Sequence, residues 1–266
     1  MPARAEIGVF GGSGFYEWLG ASEPVTVDTP YGQPSGPIAI AELAGRRVAF
    51  LARHGPKHTI PPPQVNYRAN VWAMRELGVE RIIGPSAVGS LQPSLKPGDL
   101  VVADQFIDRT TGRADTYYVG PEVVHVSAAD PYCPELRALA ARVAVDQSLR
   151  FQDHGTVVVV QGPRFSTRAE SRWYSGMGWD IIGMTQYPEV ILAREQEMCY
   201  LNLSLVTDYD AGLADAPEVG AVQAQDVIRV LAENIFRVRA LLAALIPLIP
   251  PVRTCPCPHA LEGARV

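Results

Sequence analysis

Features that would point to a membrane or to nucleic acid are missing from this sequence of 266 residues. It has no apolar run long enough to span a bilayer, and residues 1–6 lead into a strand-like run rather than a signal-peptide core. It has no cluster of lysine and arginine, and its net charge is −5. The sequence therefore predicts a cytoplasmic protein that binds neither membranes nor nucleic acid, and any phosphate that it binds is expected to be small.

Cysteine is also scarce, with four in the whole chain, which gives little support for a disulfide framework. Cys133 and Cys199 lie far apart in ordered-looking segments and are expected to be packing residues. Cys255 and Cys257 form a Cys-Pro-Cys motif in a proline-rich tail, and two close thiols do not complete a structural zinc set. We therefore predict that residues 250–266 form a mobile or loosely docked tail, in preference to a metal or redox site, and that the chain binds no metal.

Apolar residues are abundant, at 47% of the chain. Short runs of Val, Ile and Leu alternate with amphipathic stretches of helical length, as in chains whose helices cover both faces of a buried sheet. The sequence predicts one α/β domain over residues 1–249, with a mixed central sheet between helices. The predicted helices cover 65–77, 188–198 and 227–245, and the predicted strands cover 6–10, 48–52, 79–83, 100–103, 156–160, 180–184 and 201–206.

Four of the apolar runs end in a short polar or glycine-rich cluster. Ligands of open α/β sheets bind beyond the carboxyl ends of the strands, so these clusters predict the functional site. The clusters are 11–14 (GGSG), 53–55 (RHG), 85–90 (PSAVGS) and 207–210 (TDYD).

Several residues in and near these clusters suit the binding of an oxyanion. Glycines around Ser13 allow backbone amides and a hydroxyl to converge on an anion, although a tight structural turn explains them equally well. Arg53 offers a guanidinium fork that matches phosphate oxygens, and His54 offers a second donor, whereas the alternative is an ion pair at a strand end. The hydroxyl of Ser86 and the amide of Ala87, after another strand, favour the oxyanion site.

Other residues suit a flat, nitrogen-containing ligand. Asp208 and Asp210 alternate in sequence, so in an extended segment both carboxyl groups point to one side. Such a pair can hold one proton at neutral pH and donate it to a leaving-group nitrogen, but a solvated acidic loop is equally possible. Phe165 could stack on the ligand, and Met184 and Thr185 could contact a sugar and a phosphate. Phe165 and Met184 could also be core residues.

Together these segments resemble the trimeric purine nucleoside phosphorylase superfamily, and within it the 5′-methylthioadenosine phosphorylases. The resemblance runs from residue 8 to about residue 247. Its motifs are GGSG (11–14), ARHG (52–55), HTIP (58–61), VNYRAN (65–70), DQFIDRTT (104–111), GPRFSTRAES (162–171) and MTQYPE (184–189).

The resemblance implies reversible phosphorolysis of S-methyl-5′-thioadenosine to adenine and 5-methylthio-α-D-ribose 1-phosphate, with inorganic phosphate as co-substrate and no cofactor. It implies that Phe165, Ile182 and Met184 pack on base and ribose. It also implies that Asp208 binds purine N7 and that Asp210 binds the 6-amino group. The phosphate ligands would be Ser13, Arg53, His54, Ser86, Ala87 and Thr185.

The resemblance places Ala224, Val227 and Ile228 around the 5′ substituent, with Ser166 near this specificity region. An apolar pocket suits a methylthio group. Relatives usually form trimers, in which the segment around His125 reaches a neighbour's pocket, so a homotrimer is expected. The chain departs from its relatives at Gly183, where asparagine is common, and the small Ala224 makes some activity on adenosine plausible.

Three other functions stay open at the level of the sequence. The first is a phosphorylase that prefers methylthioinosine, inosine, guanosine or adenosine. The second is a hydrolase of the same fold, which would use water in place of phosphate. The third belongs to a different class and is a purine-binding protein that has no catalytic activity.

Overall fold

The structure is a computed structural model that describes residues 5–11, 21–212 and 220–266. Across these residues, eleven strands form one mixed sheet and five α-helices pack around it. The strands are β1 (Ile7–Gly11), β2 (Glu23–Val25), β3 (Ile38–Leu43), β4 (Arg46–Ala52), β5 (Arg81–Ser90), β6 (Leu100–Val101), β7 (Gln105–Arg109), β8 (Phe151–Gln152), β9 (Thr156–Val160), β10 (Ile181–Gly183) and β11 (Cys199–Asp208). The helices are α1 (Tyr67–Glu76), α2 (Pro134–Asp146), α3 (Arg168–Gly176), α4 (Gln186–Glu195) and α5 (Ala224–Leu245). None of these helices is long and apolar enough to cross a membrane.

The main path of the sheet runs β2-β3-β4-β1-β5-β10-β9-β7, while β11 pairs with β5 and with β6. Parallel pairs include β1 with β4 and β5 with β11, and antiparallel pairs include β3 with β4 and β5 with β10. Side chains of α1 and α4 enter one hydrophobic cluster, and side chains of α2 and α5 enter another. The prediction of an α/β fold with a mixed sheet and helices on both faces is confirmed.

Local signals place the helix ends. The side chain of Asn66 accepts a hydrogen bond from the backbone of Ala69 at the start of α1, and Gly78 with φ +86° follows its end. The predicted helix over 65–77 is therefore confirmed with shorter bounds. At α3, Thr167 and Glu170 cap each other's backbone in a capping box.

One predicted boundary is wrong. We expected a strand over 79–83 followed by a polar cluster at 85–90, but β5 continues through that cluster to Ser90. The reason is tertiary, because β11 pairs with β5 in parallel along residues 81–89 and supplies the hydrogen-bonding partner that a Pro/Gly/Ser segment does not predict locally.

The prediction of a mobile or loosely docked tail is also wrong. Cys255 and Cys257 are buried in the same cluster as α2 and α5, and a short 3₁₀ helix, Cys257–His259, follows. Thr254 donates a hydrogen bond of 2.6 Å to Glu135, and a β-bridge joins Val124 to Arg265. The tail is docked because its proline-rich sequence carries apolar side chains that the sheet face covers.

Candidate active site

The predicted site lies where β5 changes its neighbour. The first part of β5 pairs in parallel with β1 at residues 81–83, and its end pairs antiparallel with β10 at residues 89 and 90. Between them, residues 84–88 have no strand partner on that edge within the described ranges. Such switch points of α/β sheets form ligand-binding crevices. Ser86 and Ala87 lie in this gap and are half-buried.

Arg53 follows β4 directly and is only 4% exposed. Its Nε and Nη2 donate to the two carboxylate oxygens of Glu189 at 2.6 and 2.8 Å, and Nη1 lies 3.4 Å from the carbonyl of Pro85. Burial alone would lower the pKa of Arg53, but the adjacent carboxylate of Glu189 raises it above its ordinary value. The ion pair is therefore present, and of the five N–H groups of the guanidinium, two have no hydrogen-bond partner among the described residues.

Glu189 was missed by the sequence analysis. It is fully buried in the first turn of α4 and also accepts a hydrogen bond of 2.5 Å from Tyr200 on β11. The sequence shows only a glutamate within the motif MTQYPE, and its burial, which demands a cationic partner, is visible only in the structure. Glu189 thus holds the Arg53 guanidinium in one orientation.

His54 is half-buried beside Arg53. Its Nδ1 lies 2.9 Å from the carbonyl oxygen of Ile60, which can only accept, so Nδ1 carries the proton and Nε2 is free to accept. Burial, together with the charge of Arg53, lowers the pKa of His54 to about 4. The ring is therefore neutral at pH 7.

The hydroxyl of Ser86 lies in a polar network that the sequence analysis did not predict. Gln186 donates to Ser86 Oγ at 2.9 Å, Asn202 Nδ2 lies 3.3 Å from the same oxygen, and Ser204 Oγ lies at 3.2 Å. The alternation of Asn202 and Ser204 within the apolar run of β11 was a signal for this network. Thr185 is buried just before α4, and its side chain makes no capping hydrogen bond.

The two predicted aspartates adjoin each other, but not for the predicted reason. Asp208 ends β11, whereas Asp210 has φ +48° and lies in a turn, so the segment is not extended and strand alternation does not apply. Asp208 Oδ1 instead accepts the backbone N–H of Asp210 at 2.8 Å, and Oδ2 accepts the hydroxyl of Thr207 at 2.7 Å. Burial raises the pKa of both carboxyl groups, and the charge of Asp210 raises the pKa of Asp208 further.

The carboxyl group of Asp210 lies beside the hydroxyls of Ser171 and Ser166, which offset part of the effect of burial on its pKa. Asp210 Oδ2 and Ser166 Oγ form no hydrogen bond of ordinary geometry with any described residue. A buried acceptor without a hydrogen bond costs about 1–3 kcal/mol, so these two atoms are candidate contacts for a ligand. The backbone also approaches closely here, because a Cβ atom on Gly89 would lie 2.9 Å from Asp208 Oδ1 and 3.0 Å from Ile182 Cγ2.

Three further predicted contacts are Ile182, Met184 and Phe165, and Ile182 lies beside Gly89 together with Asp208. Ile182 is buried on β10, and Met184 follows the same strand. The carbonyl of Met184 accepts a hydrogen bond of 2.8 Å from Arg113, a residue that the sequence analysis missed and that ties this segment to neighbouring loops. Phe165 precedes α3 and is 38% exposed, so a face of its ring is open to a ligand.

The residues predicted for the 5′ substituent lie at the start of α5. The backbone N–H of Val222 donates to the carbonyl of Asp210 at 2.8 Å, which joins this segment to the aspartates. Ala224 and Ile228 are exposed and Val227 is half-buried, so within this chain they form an open rim rather than a closed pocket.

Two further predicted residues stand apart. Ser13 lies outside the described residues. His125 is exposed, and its backbone N–H donates to the carbonyl of Ala264 at 2.8 Å, so the docked tail holds its segment.

A switch point of an α/β sheet that is bordered by an arginine, hydroxyls and buried carboxyl groups suits the binding of an anion and a polar ring. The chain belongs to the phosphorylase superfamily, whose family model matches residues 6–247. It is 54% identical over 265 residues to the S-methyl-5′-thioadenosine phosphorylase of Thermofilum pendens, covering 99% of both chains. It is 52% identical over 270 residues to the purine nucleoside phosphorylase of Streptomyces coelicolor, covering 98% of this chain and 95% of that one.

A solved structure agrees with these relatives. The methylthioadenosine phosphorylase of Schistosoma mansoni, in complex with adenine, matches with a TM-score of 0.90 and 35% identity, covering 98% of this chain and 97% of that chain. The family resemblance predicted from the sequence motifs is therefore confirmed.

Proposed function

We propose that the protein catalyses the reversible phosphorolysis of S-methyl-5′-thioadenosine to adenine and 5-methylthio-α-D-ribose 1-phosphate. The observation that carries this proposal is the pair of adjoining carboxyl groups at the end of β11, the half-buried Asp208 and the buried Asp210. An acceptor at that position suits the 6-amino group of adenine, which donates, rather than the 6-oxo group of hypoxanthine, which accepts. The names of the relatives from Thermofilum pendens and Schistosoma mansoni agree with it.

Inorganic phosphate would bind at the gap in β5. Its ligands would be Ser13, Arg53, His54, Ser86, Ala87 and Thr185. Arg53 supports this assignment through its two uncommitted N–H groups, and neutral His54 through an Nε2 that can accept the proton of a phosphate hydroxyl. These residues orient the nucleophile against the anomeric carbon of the ribose.

In the reaction, a phosphate oxygen forms a bond to the anomeric carbon with inversion, and the bond from that carbon to purine N9 breaks. The bonding electrons go to adenine, whose N7 takes a proton from Asp208. The proton lost by the attacking hydrogen phosphate restores that carboxyl group through solvent. The raised pKa of Asp208, which burial causes, favours the protonated form that this step needs. The reaction needs neither a metal nor a cofactor.

Phe165, Ile182 and Met184 would pack on base and ribose. Ser166, Ala224, Val227 and Ile228 would surround the 5′ substituent. Apolar side chains at the start of α5 suit a methylthio group, although one such contact discriminates by only about 1–3 kcal/mol.

A second function has a specific observation in its favour. The relative from Streptomyces coelicolor is a purine nucleoside phosphorylase and is nearly as similar as the one from Thermofilum pendens. A phosphorylase that prefers methylthioinosine, inosine, guanosine or adenosine is therefore the alternative.

The test is release of the free base from S-methyl-5′-thioadenosine, adenosine, methylthioinosine, inosine and guanosine by the purified protein, with and without phosphate. Phosphate-dependent release that is fastest with S-methyl-5′-thioadenosine supports the proposal. A preference for methylthioinosine, inosine, guanosine or adenosine supports the alternative. Release without phosphate indicates a hydrolase, and binding without turnover indicates a purine-binding protein with no catalytic activity.

We also propose that the protein is a cytoplasmic homotrimer. Exposed apolar side chains at Val119 and Val123, 77% and 45% exposed, lie just before His125 in the chain and support a protein contact there. In such a trimer His125 would reach the pocket of a neighbouring subunit.

A further inference from the structure

All four cysteines of the chain meet at one point on the face of the sheet that α2 and α5 cover. Cys133 precedes α2, Cys199 begins β11, and Cys255 and Cys257 come from the tail. Their sulfur atoms all lie within 4.8 Å of one another, and all four residues are buried. We call this group the four-cysteine cluster.

We propose that the four-cysteine cluster binds one Zn²⁺ ion as a structural site. Tetrahedral zinc bound by four cysteines has Zn–S bonds of about 2.3 Å, which places the sulfur atoms about 3.8 Å apart. The sulfur atoms of Cys199 and Cys255 are 3.4 Å apart, and 4.8 Å bounds the other pairs. The cluster therefore has the ligand number and nearly the dimensions of such a site.

The geometry favours a metal over two disulfide bonds. A disulfide places its two sulfur atoms about 2.05 Å apart, and all four cysteines here are free thiols. Two disulfides would need only two separate pairs, whereas every sulfur atom here is close to the three others. Convergence of four sulfur atoms is what one central ion requires, and four cysteine sulfurs in a tetrahedron suit zinc.

The backbone holds the ligands in place. The N–H of Cys133 donates to the carbonyl of Tyr200 at 2.9 Å, which fixes the start of α2 beside Cys199. Binding of Zn²⁺ would release the four thiol protons and leave four thiolate ligands around the ion.

This proposal revises the sequence-based expectation of no metal. The Cys-Pro-Cys motif supplies two of the four ligands. The fold brings the other two, Cys133 and Cys199, from at least 56 positions earlier in the chain. The ion would anchor the tail to α2 and β11. It has no open coordination position and therefore no role in the reaction.

The first experiment measures zinc per chain and thiols per chain on the full-length protein, purified in reducing buffer without chelators and supplied with zinc. We expect one zinc per chain by mass spectrometry of the elements, and four reactive thiols after denaturation with a chelator. Four reactive thiols without bound zinc would show that the cysteines only pack against one another. Neither zinc nor reactive thiols would show that they form two disulfide bonds. Either result would overturn the proposal.

The second experiment uses variants. Cys255→Ser and Cys257→Ser are expected to lose the bound zinc and to unfold at a lower temperature. Thr254→Ala is the matched control, because it removes the hydrogen bond from the same tail to Glu135 without removing a ligand, and it should keep one zinc per chain. Replacement of zinc by Co²⁺ should give the thiolate-to-cobalt absorption of a four-sulfur site, and its absence from wild-type protein would contradict the assignment even if the variants fail to fold.

Discussion

Arg53 and Glu189 show how one residue depends on a partner more than a hundred positions away. The guanidinium is 4% exposed, the carboxylate is fully buried, and two hydrogen bonds join them. A buried charge without its partner is strongly destabilising. The orientation of the proposed phosphate ligand and the stability of the chain therefore depend on the same ion pair.

Replacing Glu189 by Gln tests this dependence. We expect Glu189→Gln to lower the free energy of unfolding by about 3–5 kcal/mol, since it leaves Arg53 charged and buried, and to raise the KM for phosphate. Urea unfolding and phosphate titration measure the two effects. The control is Glu170→Gln at the exposed ion pair with Arg164, where less than about 1 kcal/mol is expected. Equal losses for both variants would refute the role of the Arg53–Glu189 pair.

His54 predicts a dependence of stability on pH. Its pKa in the folded chain is about 4, below the ordinary 6.5, because burial and Arg53 disfavour the charged ring. The unfolded chain therefore takes up a proton as pH falls below 6.5, while the folded chain does not until about pH 4. The contribution of His54 to the free energy of unfolding is therefore complete above pH 6.5 and is lost as the pH falls to about 4. It amounts to about 3 kcal/mol at most.

The measurement compares urea unfolding of the wild-type protein and His54→Asn, which cannot titrate, between pH 7.5 and pH 4 (roughly the window of the shift). The difference in stability between the two should change in favour of the variant as pH falls. Parallel pH profiles would contradict the lowered pKa of His54.

The proposed role of Asp208 predicts that its replacement changes the specificity for the base. Asp208→Asn removes the acid that protonates N7, so we expect release of adenine to fall by about 10²–10⁴-fold and release of hypoxanthine from inosine analogues to fall less. Asp226→Asn removes a neighbouring exposed carboxylate on α5 and serves as the control, with activity retained. Equal losses on adenine and hypoxanthine nucleosides for Asp208→Asn would reject its proposed role.

At the scale of elements, β5 organises the site. On one edge its partner changes from β1 to β10, and on the other edge it pairs with β11. The register with β11 shifts between Val206 and Asp208. This irregularity, followed by the turn at Asp210, brings both carboxyl groups toward the gap in the sheet. Glycine at position 89 permits the close approach of the three strands.

A side chain at position 89 should therefore disturb the site. In Gly89→Ala the new Cβ would meet Asp208 Oδ1 at 2.9 Å and Ile182 Cγ2 at 3.0 Å, so we expect a loss of about 1–3 kcal/mol in stability and at least about tenfold in kcat/KM. Gly176→Ala at the end of α3 is the control, because its Cβ would meet nothing within 4 Å, and it should be neutral or slightly stabilising. Wild-type activity in Gly89→Ala would contradict this prediction, because it would show that the strands accommodate a side chain at position 89.

At the scale of the whole molecule, the C-terminal tail is hydrogen-bonded to the segment around His125. The tail bonds to the segment before and at His125 through Val266 to Val123 and through His125 to Ala264. The four-cysteine cluster would fix the other end of that tail. A segment proposed to reach a neighbouring subunit is thus held by the part of the chain that the sequence predicted to be loose.

The proposed homotrimer predicts the mass in solution. Light scattering should give about three times the chain mass of 28.8 kDa, because the exposed Val119 and Val123 would be buried between subunits. His125→Ala should keep this mass but raise the KM for the nucleoside. A monomer at all concentrations, with full activity, would contradict both the assembly and the shared site.

Sequence by itself determined the features that depend on neighbouring residues. Alternation of apolar runs predicted the α/β class, the caps at Asn66 and Thr167 set helix starts, and polar residues at the ends of β4 and β11 predicted the candidate site. Only the tertiary structure decided the rest. Residues 85–90 are a strand because β11 pairs with them, Arg53 is oriented because Glu189 is buried against it, and the tail is ordered because Cys133 and Cys199 lie beneath Cys255 and Cys257. Such contacts join residues that are distant in sequence, and their free energy appears only when the sheet brings the partners together.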